Sequence, residues 1–424
     1  MPLNLNLDFV AMHLAKACVV ILLALVTFPS FSQNATIKDQ AIRVFLDCSG
    51  CDSEHIRKEL AIVNYVRDRK DAQVHILSTR EFTGSGGMKE TFFFIGQNEF
   101  QTQCDTLSFS TTADITEDER RTKQVNVITI GLVRYIAKTP FSSKLQISVE
   151  KNEEEEGITS DKWNSWVFET YASAFFNGEQ SYQYFSGYSS FSAQRITERL
   201  KVEMRIGYDF DKDKYVIEDN AIYNTLNSKE FQHLLVKSIN DHWSVGYKVD
   251  IQTSLFLNYN LHSKLMPAIE YNLFPYSKSN RQQLRFLYTV GAMSFNYIDT
   301  TIYNKTHEIL LAHELGIAAL FKEKWGSINI SLRGSNYFHN PKFNKLRLQS
   351  TLNLRLFKGF SLSIQVGASI IHDQINLAKG AVSSEDVLLR RRQLASQYDF
   401  WASVGFNYSF GSIYNNVVNP RFGN

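Results

Sequence analysis

The chain has 424 residues, 44% hydrophobic and 21% charged, with a formal net charge of +2. That is too apolar for wholesale disorder, and the near-neutral, interspersed charge argues against nucleic-acid binding. The 31 Phe and 20 Tyr against 7 Pro lean toward extended strands and membrane-interface girdles.

At the N-terminus, weak positive charge at His13 and Lys16 precedes the apolar run 17–28 and then Ser30-Phe31-Ser32. Small residues at the first and third of these positions fit a secretory cleavage site after Ser32, so residues 1–32 read as a signal peptide and the mature chain starts near Gln33. The run is shorter than the ~20 apolar residues of a spanning helix. Cys18 lies before the apolar core, which argues against a lipoprotein anchor. No later stretch approaches spanning length, so membrane residence would have to use strands or surface attachment.

Residues 33–150 read as a periplasmic α+β domain. Residues 42–46 predict a strand, and 53–60 a helix with Ser53 as N-cap and Glu54 in its first turn. Strands at 72–78 and 90–95 are joined across Gly84-Ser85-Gly86-Gly87 as a hairpin-like turn, and 106–110 is another strand. Thr116-Glu117-Asp118-Glu119 opens a helix whose apolar face, including Val125, Ile128, Leu132, Tyr135 and Ile136, continues to Lys138. A last strand is expected at 144–149. Residues 151–162 form an acidic linker with a four-carboxylate run, Glu153 to Glu156. A solvated linker explains that run better than a calcium site does.

From Trp163 the hydrophobic period becomes two and stays so. Leu200, Val202, Met204, Ile206, Tyr208 and Phe210 alternate with polar residues, and so do Phe400, Ala402, Val404, Phe406, Tyr408 and Phe410. About twelve such segments fall near 165–177, 181–195, 198–210, 229–240, 243–259, 262–275, 281–298, 306–322, 325–338, 344–358, 360–376 and 398–411. Each is long enough to cross a bilayer as a tilted strand. The fold expected is an all-β transmembrane barrel of about twelve antiparallel strands over residues 163–411, with a tail at 412–424. Short periplasmic turns are expected at Thr197-Glu198, Asn240-Asp241-His242, Lys324-Trp325-Gly326 and Lys358-Gly359. Long extracellular connections are expected at 211–228 and 376–398.

Four stretches carry a resemblance: Val66-Arg67-Asp68-Arg69 with Asp71-Ala72-Gln73-Val74-His75; Asp241-His242-Trp243-Ser244-Val245-Gly246; 267–276 (PAIEYNLFPY); and 411–422 (GSIYNNVVNPRF). Together they resemble a family of largely uncharacterised bacterial outer-membrane β-barrel proteins with an N-terminal periplasmic domain. The resemblance implies a location and an architecture, and no catalytic residue.

Several residues are candidates for chemistry. Cys48-Ser49-Gly50-Cys51 spaces two thiols for a disulfide, a redox pair or half a metal site. Cys104 is the only other cysteine after residue 32, and zinc would need His55 and His75 as well. A structural disulfide, within the pair or from one of them to Cys104, is the leading reading in an oxidising compartment. Gly84-Ser85-Gly86-Gly87 lacks the following Lys-Ser or Lys-Thr of a phosphate cradle. Arg390, Arg391 and Arg392 fall in the long extracellular connection, on a short helix able to pair with lipid phosphates or to fold into the lumen.

The lumen face is expected to carry Lys201, Glu203, Arg205, Lys248, Asp250, Glu270, Arg285, Arg333, Arg347 and Arg355, joined in ion-pair networks that partly fill the interior. A membrane-embedded, lipase-like hydrolase is the enzymatic alternative. His313 is its one candidate, and no serine motif accompanies it. The expected role is therefore structural, docking or small-solute transport rather than enzymatic, with no cofactor. The expected partners are outer-membrane lipid and a periplasmic protein met by the N-terminal domain.

Overall fold

The structure is a computed structural model describing residues 40–84, 86–145, 161–217, 220–380, 393–416 and 421. The expected signal peptide, nearly all of the acidic linker, and Arg390, Arg391 and Arg392 lie outside the described residues. No helix among those described is long and apolar enough to cross a membrane.

The N-terminal part contains β1 (Arg43–Asp47), α1 (Ser53–Glu59), β2 (Asn64–Tyr65), β3 (Val74–Phe82), β4 (Met88–Gly96), β5 (Cys104–Thr111) and α2 (Glu117–Ile136). The strands form a mixed sheet in the order β2-β1-β3-β4-β5; β1 is parallel to β2 and β3, and β3, β4 and β5 are antiparallel neighbours. Thr116 opens α2 with a reciprocal capping box to Glu119, satisfying two of the helix's free amides. α1 is capped by Asp52, whose carboxylate accepts from the His55 amide at 2.9 Å, and not by the expected Ser53. An ionised side chain in that place also suits the positive end of the helix dipole. Residues 140–144 make a 3-10 turn begun by Pro140 where the last strand was expected to start, and 146–149 lie outside the described residues.

α2 lies along β4, and the alternate residues of that strand take successive turns of the helix. Glu90 is fully buried, accepting from Gln124 Nε2 at 2.8 Å and facing Arg80 at 3.0 Å and Arg120 at 3.5 Å. Farther along, Phe92 and Phe94 pack with Ile128, Leu132 and Tyr135, and Val44, Ile56 and Ile76 complete the core. The Tyr135 hydroxyl donates to the Gln103 carbonyl at 2.9 Å, so its burial leaves no orphan donor.

The rest of the described chain is one antiparallel sheet of twelve strands in strict sequence order. The strands are β6 (Trp166–Gly178), β7 (Tyr182–Ile196), β8 (Leu200–Ile217), β9 (Asn220–Ser238), β10 (Trp243–Ser254), β11 (Tyr259–Asn272), β12 (Gln282–Tyr297), β13 (His307–Glu323), β14 (Gly326–Tyr337), β15 (Asn340–Phe357), β16 (Phe360–Ile371) and β17 (Tyr398–Tyr408). β6 and β17 are its two edges. The connection expected over 211–228 is overturned: β8 and β9 continue their ladder to Ile217↔Asn220. The polar residues there keep the period of two. Asp211 and Asp213 accept from the Tyr184 and Tyr182 hydroxyls at 2.7 and 2.9 Å, so the polarity marks an extended face and not a loop.

Gly131 sets the distance between α2 and the small sheet, because a Cβ there would overlap the fully buried Phe94 ring. Gly131→Ala would gain up to about 1 kcal/mol of helix propensity but lose about 1–3 kcal/mol to overpacking. The net outcome expected is a lower unfolding midpoint of the N-terminal domain, read by thermal denaturation.

Candidate functional site at the domain junction

The register fixes which side chains share a face of the large sheet. Because the side-chain period is two, the pairs Glu203↔Leu234, Leu234↔Lys248, Lys248↔Met266 and Glu270↔Leu287 place all of these on one face, and the same ladder continues to Arg333↔Arg347. All ten candidate charges fall on that face. They do not form one network. Lys201 pairs with Glu203 at 2.9 Å, Asp250 lies between Lys248 at 3.4 Å and Lys264 at 3.3 Å, and Arg285 faces Glu270 at 3.6 Å. Arg205 instead meets the Tyr188 hydroxyl and ring, and Arg333 and Arg347 make no ion pair among the described residues.

The opposite face is apolar and exposed. His313 stands there, its Nδ1 3.3 Å from the Tyr288 hydroxyl and its ring stacked on Phe338. Those neighbours supply neither a nucleophilic serine nor a carboxylate.

The tenth charge, Arg355, leaves the sheet for the N-terminal domain. Its guanidinium donates both terminal nitrogens to the Asp47 carboxylate, Nη1 at 2.6 Å, and lies over the Phe45 ring with its carbon 5.4 Å from the centroid. Asp47 also meets His75 Nε2 at 3.0 Å. Phe45, Asp47 and His75 stand on the face of the small sheet away from α2, so that sheet is covered on both sides.

The same end of the large sheet holds the turns after β7, β9, β11, β13 and β15, and the domain touches it broadly. Lys358 pairs with Asp71 at 2.7 Å, the Gly359 amide donates to Asp68, Arg281 lies over the Phe93 ring, and Asn280 donates to Glu81 at 3.4 Å. The glycine-rich turn closes the β3–β4 hairpin, with Ser85 outside the described residues. A Cβ at Gly84 would overlap Ile196, and one at Gly86, where φ is +76°, would touch Val167 and Gln194. At Gly84 the tip therefore fits against the end of β7 because no Cβ stands there, and at Gly86 glycine suits the positive φ.

Beyond β17 the chain returns to the domain. Val66 and Tyr414 form an antiparallel bridge, Arg67 N donates to Ile413 O at 3.0 Å, and Asn415 N to Tyr65 O at 2.8 Å. Asn416 accepts from the Tyr65 amide at 2.6 Å and donates to Asn64 at 3.0 Å. A cavity of about 320 Å³ remains between Asp47, Ser49 and Ser78 of the domain and Ser327, Arg355 and Ser363 of the large sheet.

Cys48 and Cys51 form a disulfide directly after Asp47, and Cys104 is free and exposed. The Gly50 carbonyl between them accepts from Arg80 and from Arg120, the latter at 3.2 Å, so the loop that presents Asp47 is tied to the Glu90 cluster. With both of their thiols in the disulfide, Cys48 and Cys51 offer no thiolate to a metal, and among the described residues no group of His, Cys, Asp and Glu is arranged to hold one. At the far end, the segment after β16 folds over the polar face. Thr301 bridges Ala378, and Ile375 packs on Phe295, Tyr297, Leu310 and Tyr337. Sequence periodicity did not reveal this packing: Ile375 falls in the strand expected over 360–376, which ends at Ile371, and Leu377 in the long connection expected over 376–398.

Comparison with protein-family models finds no match to this chain, and comparison with curated proteins finds none either.

Burial alone would raise the Asp47 carboxyl; the hydrogen bonds from His75 and Arg355 and the Arg355 charge outweigh it and bring it down to about 2. Burial depresses His75, which its bond to Asp47 offsets only in part. Both lowered values make acid destabilising. The His75 contribution is present above about pH 6.5 and fades as pH falls below it; the Asp47 contribution is present above about pH 4 and is lost through about 2. Thermal midpoints against pH should show two stages, and His75→Gln should remove the upper one. Asp47→Asn leaves Arg355 without its counterion and should weaken the docked domain by about 1–3 kcal/mol. Hydrogen exchange at the β1 and β3 amides would read this loss, and exchanging the two charges should recover part of it.

Proposed function

We propose that the large sheet closes as an outer-membrane barrel by pairing β17 with β6, and that the N-terminal domain is a cap on its periplasmic mouth, gating passage of small solutes. The observation that carries this reading is the apolar face. Exposed aliphatic residues such as Ile206, Leu265, Ile269, Val290, Leu315, Leu346 and Val404 run along its middle. At the domain end they are flanked by Trp166 with Phe168, Trp243 with Tyr271, and Phe360 with Phe406; at the other end by Phe176 with Phe185, Phe338 with His313, and Tyr398 with Phe400. A belt between two aromatic girdles matches a bilayer, whereas a soluble protein rarely exposes contiguous apolar area beyond a few hundred Å².

Lipid also supplies the reason for closure, since a strand edge in hydrocarbon would leave a row of unsatisfied amides and carbonyls. An even number of strands lets β6 and β17 meet antiparallel, as the rest of the meander does. The contacts of the cap are ion pairs, cation–π contacts and a short backbone bridge. Contacts of that kind hold a domain in place yet can be broken by a modest force or ligand.

The location is tested by fractionation and heat-modifiability on gels. Sorting to the outer membrane with a heat-shifted band is expected, and recovery as a soluble protein rejects the reading. Closure is tested with Cys104→Ser as background and a cysteine at Ala172 scanned against cysteines at Ala402, Val404 and Phe406. At least one pair should cross-link within the chain. For gating, Asp47→Ala with Lys358→Ala should raise planar-bilayer conductance several-fold over the parent, and equal silence of both would leave a structural barrel only.

A further inference from the structure

Resting on the barrel reading, we infer that the interior holds a binding site for an oxyanion-bearing small solute, built from Arg333 on β14 and Arg347 and Lys345 on β15. Arg333 and Arg347 are direct cross-strand partners on the polar face, and Lys345 stands two residues from Arg347 on that same face. Like charges opposite one another in a ladder, with Cβ atoms about 4.5–5.5 Å apart, repel and destabilise the pair. Such a pair ordinarily stands beside carboxylates that neutralise it. Here none is in ion-pair contact among the described residues. Glu314 and Asp399 share the face without reaching either guanidinium, and Asp373 acts on Lys345 and Arg347 only through space. The polar contact of Arg347 is a 3.4 Å hydrogen bond to the Ser369 hydroxyl, and both arginines are exposed.

The opposite wall carries the opposite sign. In a twelve-stranded barrel the strand six places away lies across the lumen, so β8 faces β14 and β9 faces β15. Against Lys201 and Arg205, β8 presents Glu203, Asp209, Asp211 and Asp213 on the polar face, and β9 adds Glu230. Beyond the Lys201–Glu203 pair, these acids are held by neutral partners: Asp209 by Ser228, Asp211 by Tyr184, Asp213 by Tyr182 and Asn224, and Glu230 by Gln232. Strand spacing of about 4.8 Å and a tilt of about 40° give a backbone diameter of about 24 Å, too wide for the two walls to neutralise each other directly. Charge separation of this kind sets a field across the water between the walls. It draws a negative group to the arginine side, where two guanidinium forks can each bind an oxyanion through paired N–H donors.

The test uses the full chain in detergent micelles, with phosphate and acetate as probes against chloride at matched ionic strength. A saturable rise of the unfolding midpoint with phosphate, acetate or both is expected; which of them acts tells a tetrahedral from a planar oxyanion. Arg333→Gln with Arg347→Gln should abolish that rise and, by relieving the repulsion, raise the midpoint in chloride alone. Arg205→Gln, which removes a guanidinium from the other wall, should leave the rise intact. Indifference of the wild-type chain to both probes, or a rise that survives the double substitution, overturns the site. Heat-modifiability of the same samples separates the two readings: a heat-modifiable protein blind to both anions refutes the site alone, and loss of heat-modifiability refutes the barrel and the site together.

Discussion

The constraint on which the rest depends is the two-residue period held from β6 to β17. In a ladder of this length a slip of one residue would move every polar side chain to the apolar face, so the alternation fixes register and face together. Among the consequences is the position of Arg355. It belongs to the polar face by register, and it stands at the end of that face where the turns gather, with no carboxylate of the large sheet in ion-pair contact among the described residues. Asp47 of another domain supplies the counterion. The docking of the domain therefore completes a pattern that the large sheet leaves open.

The small sheet is organised by the same junction. β4 reads Thr-Phe-Phe-Phe-Ile over 91–95, with no alternation, because Phe92 and Phe94 face α2 while Phe93 lies under Arg281. A strand covered on both sides loses the period that marks a half-solvated one. Its polar exceptions are where the architecture is pinned. Glu90 ties α2 to the sheet and, through Arg80 and Arg120, to the loop of Cys48 and Cys51, and that loop carries Asp47.

Much of this was legible in the sequence because it depends on local period. The twelve strands, their order, the polar face and α2 follow from the spacing of apolar residues and from one capping box. What was not legible depends on partners far along the chain. Nothing near Asp47 announces that its guanidinium comes from residue 355, and nothing near Gly131 announces the Phe94 ring. The Asp-Lys-Asp-Lys run at 211–214 misled for a related reason: charge alternation outside an apolar run resembles a loop until its hydroxyl partners at Tyr182 and Tyr184 are known. Asp52 and Ser53 are both good caps, and only the hydrogen bond to His55 separates them.

The segment 413–416, bridged to Val66 through Tyr414 at the edge of β2, joins positions some 350 residues apart, Tyr65 to Asn416. Closing a loop of that length carries an entropy that grows only slowly with length, but such a contact cannot form early. The segment becomes available only after β17 has been laid down, so the domain, although first in the chain, receives the cover of its β2 edge last. Locking of the domain thus reports on completion of the whole meander: a chain stalled before its last strand would keep an unpaired β2 edge, open to pairing with another chain.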